Sequence, residues 1–136
     1  MPDLRAWHDY RLTGFSVDGA KGRITFDVSW PYDTAIDIRR ALVVFSGVAG
    51  YFFEHDLGTN ILYSLSEQPL EPFLAEHEGH FQQEKKWGWP LFWKGGVKQT
   101  LQYLDEKRVR CFAISSSHGL SGWVLTADVE HHEPAE

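Results

Sequence analysis

Seven histidines and one cysteine carry most of the reactive chemistry in this chain. His77-Glu78-Gly79-His80 falls one residue short of the zinc-peptidase spacing, which needs His at i and i+4 with Glu between them as base. On a helix His77 and His80 lie on neighbouring faces, and Glu84 follows His80 by four residues, so three ligands are geometrically conceivable. The spacing matches no established metal signature. The expectation is therefore a core-facing His77, a solvated His80 and no metal. Ser115-Ser116-Ser117-His118 sets hydroxyls beside an imidazole, but neighbouring strand residues point to opposite faces, and no Gly-x-Ser-x-Gly elbow occurs. It reads as a serine-rich strand end running into the turn at Gly119. Cys111 sits in the apolar, alternating stretch Val109 to Ile114 and reads as a buried small hydrophobe with no base nearby. A lone cysteine also forbids an intrachain disulfide or a cysteine-based zinc site.

The rest of the polar inventory adds little catalysis. Neither Gly-x-Gly-x-x-Gly nor a phosphate-binding Gly-x-x-x-x-Gly-Lys loop is present, and Gly95-Gly96 reads as a break before a helix. The pairs Glu54 with Asp56 and Asp105 with Glu106 carry no signal of burial that would raise a carboxyl pKa. No catalytic residue and no cofactor is expected. The aromatic content is different: 15% of residues are Phe, Trp or Tyr, and Trp87, Trp89 and Trp93 fall with Phe92 inside seven residues. Large rigid rings with one polar handle are what binding hot spots favour, so Trp87, Trp89, Trp93 and Phe92 form the candidate binding surface. The competing reading has these rings capping a sheet or filling the gap between helices.

Thirteen Lys and Arg against nineteen Asp and Glu give a formal charge of −6. Cations cluster only at Arg39-Arg40, Lys85-Lys86 and Lys107-Arg108-Val109-Arg110, so neither nucleic acid nor an anionic membrane surface is expected as partner. The first eight residues hold no apolar stretch of signal-peptide kind, and no window nears the roughly 18 apolar residues of a membrane span. With one cysteine, the cytoplasm is the expected compartment.

These residues need elements to position them. At 136 residues the chain is sized for a single domain covering positions 1 to 136. Ile24, Phe26, Val28 and Trp30 alternate with polar neighbours, which predicts a strand over Arg23 to Trp30. A weaker strand, Leu12 to Val17, precedes it across a hairpin turn at Asp18 to Gly22. Ala41 to Val48 is a continuous apolar strand, with Tyr51-Phe52-Phe53 continuing or following it, and Asn60 to Ser66 reads as another. Leu70, Phe73, Leu74, His77 and Phe81 have helical spacing, giving an amphipathic helix after Pro69 with Gln82 among its water-facing residues. Val97, Thr100, Leu101 and Leu104 mark a second helix. Val109 to Ser116 and Trp123 to Glu130 close the chain as a hairpin, with Trp123, Leu125, Ala127 and Val129 on one face. Strands grouped apart from helices predict an α+β domain: a mainly antiparallel sheet of about five or six strands, both helices on one face and the other partly open.

Three segments carry a resemblance. His8-Asp9-Tyr10-Arg11-Leu12 leads into the first strand, Phe45-Ser46-Gly47-Val48 closes a middle strand, and Ile114 to Gly119 runs into the last hairpin. The pattern resembles a loose group of small, mostly uncharacterised bacterial proteins that begin with such a His-Asp pair, some of which are toxin-immunity proteins. The resemblance implies a cytoplasmic protein with no catalytic site that neutralises a protein partner by occlusion. That partner would be a toxin domain or a second copy of the same chain. An acidic surface suits capture of a basic domain. The alternative is a small-molecule-binding protein or enzyme with an aromatic pocket between sheet and helices, marked by a cavity lined by Trp, Tyr and converging polar groups.

Overall fold

Alternation along Arg23–Ser29 buries Ile24, Phe26 and Val28 completely in the computed structural model, which describes residues 7–31 and 40–133. The order is β1 (Arg11–Asp18), β2 (Arg23–Ser29), β3 (Arg40–Glu54), β4 (Asn60–Gln68), α1 (Leu70–Glu84), α2 (Val97–Glu106), β5 (Arg110–His118) and β6 (Ser121–His132). A short 3-10 turn, Lys85–Trp87, follows α1. Arg39 of the first basic pair and the first six residues lie outside the described residues.

All pairings are antiparallel, as expected, but the sheet does not stay open. It closes into a barrel in the order β1-β2-β3-β6-β5-β4. This corrects the expectation of a sheet with one free face. Closure is short: β1 meets β4 at Arg11↔Ile61 and Leu12↔Asn60, extended by Leu62 N–H to Tyr10 O at 2.9 Å and Asp9 N–H to Leu62 O at 2.8 Å. Its physical reason is the apolar load, because both faces of the sheet carry residues that must leave water.

The inner load comes from all six strands. Leu12, Phe26, Val43, Phe45, Leu62, Phe112, Val124 and their neighbours fill the barrel, while Trp7, Tyr10 and Leu120 join the same cluster from outside the strands. The outer load sits where the helices cover the wall: Phe73, Leu74 and Phe81 of α1 and Leu104 of α2 pack with Cys111, Trp123 and Leu125. Successive residues of β5 and β6 therefore serve different clusters, with Cys111 and Trp123 outward and Phe112 and Val124 inward.

The expected single face on β6 is split. Trp123 and Leu125 belong to the outer cluster, but Val129 belongs to the barrel interior. The strand β3 changes face opposite it, from Phe45 to Val48 on the inside, across Gly47 at φ +67. A Cβ at Gly47 would stand 2.9 Å from Ala127 Cβ, so the tight crossing of the two strands there needs glycine. Beyond this kink the register with β6 shifts once, between Val48 and Gly50, and β3 runs on through Tyr51-Phe52-Phe53 to Glu54.

One buried polar residue ties the loops at the barrel end. Asn60 is 1% exposed, and its Oδ1 accepts from Leu57 N–H at 3.0 Å and from Leu120 N–H at 2.8 Å. Its Nδ2 donates to Asp56 Oδ1 at 3.0 Å. A Cβ on Gly119 would collide with this amide, so the β5–β6 turn must pass Asn60 as glycine.

Candidate functional site

The aromatic segment is positioned by a left-handed Gly88 (φ +86) after α1, which turns the chain back across the end of the helix. Its rings have different fates. Trp93 is fully buried, and its Nε1–H donates to Gln82 Oε1 at 2.7 Å. Gln82, read as a water-facing helix residue, thus closes the only polar atom of a core tryptophan. Phe92 is also buried, edge-on to Phe81 at 5.3 Å. A Cβ on Gly50 would lie 2.5 Å from the Phe92 ring, so glycine there makes room for it. Trp89 is half-buried against Phe81 and His80. Trp87 is 76% exposed, with Lys86 Nζ 5.5 Å from its ring centre. Among the four candidate residues, Trp87 is therefore an open contact, Trp89 a rim, and Trp93 with Phe92 a foundation.

The structure adds residues that sequence reasoning missed. Leu91 is 77% exposed beside the buried Phe92, and Tyr51 and Phe52 of β3 are exposed on the neighbouring strand. Between Ala49–Phe53 and Trp89–Phe92 runs an apolar groove of about 450 Å³. Four lysines, Lys85, Lys86, Lys94 and Lys98, and no carboxylate occur from residue 85 to residue 104 of a chain whose net charge is −6. Asp and Glu are absent from that stretch, which makes it locally cationic along the chain. Lys85 Nζ reaches Pro90 O at 3.4 Å, and Lys94 lies over the Tyr103 ring at 4.2 Å.

A second concavity, about 300 Å³, opens between the start of α1 and the outer wall of β5 and β6. Phe73 and Trp123 supply its aromatic surface, and Gln68, Glu76 and His77 its polar groups. His77 Nδ1 is 2.9 Å from Phe73 O, and a carbonyl only accepts, so Nδ1 carries the hydrogen in this contact. Cys111 borders the cavity, but burial, with a smaller contribution from Glu67, pushes its thiol up to about 12. It is a packing atom, since a nucleophile needs the thiolate.

The remaining candidates fall apart as chemical sets. His80 Nε2 lies 3.9 Å from Glu84 Oε1, while His77 stacks on Phe81 and Phe73 instead of joining them. Among the described residues no three His, Cys, Asp or Glu are grouped to hold a metal ion. The Ser116 hydroxyl donates to Leu120 O and that of Ser117 to Ile61 O, so both serve the backbone. His8 Nε2 lies 3.5 Å from Asp9 Oδ2, and its Nδ1 lies 2.9 Å from Tyr63 O, contacts that tie the approach to β1 to β4. No helix among the described residues is long and apolar enough to cross a membrane. Set beside models of known families, curated proteins and solved structures, the chain matches none of them.

Proposed function

We propose that this chain is a non-enzymatic, cytoplasmic binding protein that neutralises a protein partner by occluding it, as the immunity-like proteins it resembles would do. The observation that carries the reading is the exposure of Trp87 and Leu91, four residues apart in the segment whose Phe92 and Trp93 are buried. The flanking lysines favour a partner that presents carboxylates around an apolar contact, rather than the basic domain suggested by net charge alone.

The test is capture from the native host's lysate by purified protein, beside a Trp87→Ala/Leu91→Ala variant. One stoichiometric protein should be retained by the parent chain, and each truncation should weaken it by about 1–2 kcal/mol or more. Equal retention by the variant, or no stoichiometric protein at all, would overturn the reading.

The cavity under α1 favours a second reading, a small-molecule site. Its Trp123 and Phe73 surface with Glu76 and His77 fits a small planar ligand that bears a hydrogen-bond donor.

A further inference from the structure

The strands β2 and β3 are unequal partners, seven residues against fifteen. β2 accompanies β3 from Arg40 to Ser46, and Gly22 O then receives Val48 N–H at 3.0 Å. From Gly50 to Glu54, β3 is paired with β6 alone. Among the described residues nothing pairs with the opposite edge of Ala49–Glu54, so alternate N–H and C=O groups there point away from the sheet.

Proteins blunt such edges with proline, lysine or shortness. This one reads Ala-Gly-Tyr-Phe-Phe-Glu, rich in strand-forming aromatics and without either residue, and both Tyr51 and Phe52 are exposed. An apolar groove lies directly beside it.

We propose that the occupant of this edge is a second copy of the chain, joined β3 to β3, antiparallel, about a two-fold axis. A two-fold contact must be self-complementary, and the charges at the two ends of this segment are. Glu54 ends it, and Lys21 and Arg23 flank the Gly22 that meets its start at Val48. Antiparallel pairing brings Glu54 of each copy to the Lys21–Arg23 turn of the other. None of these three side chains makes an ion pair with another described residue. The inference goes beyond the proposed function: it concerns the strand edge rather than the Trp87 tip, and its test needs no partner protein.

That test is sedimentation velocity of the full chain between about 1 μM and about 1 mM, the range in which small interfaces associate. Reversible dimers should form, and Tyr51→Lys should weaken them at least about tenfold by charging the edge. Glu54→Lys should weaken them similarly, and adding Lys21→Glu to it should restore association, while Trp87→Ala changes nothing. Amides of residues 49–54 should exchange more slowly at the high concentration. A monomer throughout, or a dimer indifferent to both Tyr51→Lys and Glu54→Lys, overturns the inference and leaves the partner-binding reading standing. Should Tyr51→Lys fail to fold, Glu54→Lys and its rescue at an exposed strand end decide alone.

Discussion

Asp56 accepts from Asn60 Nδ2 and from Gly58 N–H at 2.9 Å, and these two bonds hold its carboxyl below the usual carboxylate range. A carboxyl whose pKa is lowered on folding stabilises the fold above its unfolded pKa, and that contribution fades as pH falls through the folded value. Asp56→Asn should therefore be less stable than the parent chain at pH 7. The difference should shrink below about pH 4 and vanish once the carboxyl is protonated in both states. Urea titrations at pH 7 and at successively lower pH measure this, and a gap that stays constant through the acid range would refute it. None of the arrangement is legible in sequence. Asn60 reads only as the start of an apolar strand: its bond from Leu57 belongs to the local turn, but its partners Leu120 and Leu12 are brought to it by the barrel, not by spacing. Reactive chemistry was more legible at this scale. Cys111, read from its alternating stretch as a buried small hydrophobe, is buried.

Elements with a strict period were readable almost to their ends. The helix inferred after Pro69 is α1, with Phe73, Leu74 and Phe81 buried as its spacing requires. Gly79 lies inside that helix, and a Cβ there meets nothing within 4 Å. Gly79→Ala should accordingly raise stability by about 0.5–1 kcal/mol, since it restrains the unfolded chain and fills only open space. Thermal or urea unfolding checks it, and a loss of stability would show that the site is not open. The aromatic loop had no period, so sequence could count its rings but not sort them. Trp93 and Trp87 occupy equivalent-looking surroundings, yet one is closed by Gln82 and the other stands in solvent. The sequence left open whether Tyr51-Phe52-Phe53 continues or follows the Ala41–Val48 strand; it continues it, and β3 therefore outruns β2.

At the scale of the whole molecule the barrel and the helical layer share one wall. Cys111 and Phe112 are neighbours in chain and belong to opposite clusters, as do Trp123 and Val124. Removing the helices would strip one face of β5 and β6, so the two clusters should unfold together. With its thiol pushed up to about 12, Cys111 should resist thiol reagents at pH 8 and become modified only at the rate of global unfolding. Labelling kinetics compared with unfolding followed by tryptophan fluorescence test this; fast labelling of the native protein would mean the helices lift off separately. Barrel closure lay beyond sequence reading because its two ladder pairs join residues 11 and 12 to 61 and 60, a contact that no local pattern encodes. The shared wall also constrains how this chain can drift. Side chains on β6 are read two ways at once, so losing a single position between Gly122 and Thr126 would exchange the inward and outward sets together. Substitution by a residue of similar bulk spoils one layer; a one-residue deletion spoils both. A one-residue deletion in the β5–β6 wall should therefore cost more stability than one in a loop of this chain, which urea unfolding of the two deletion variants would measure.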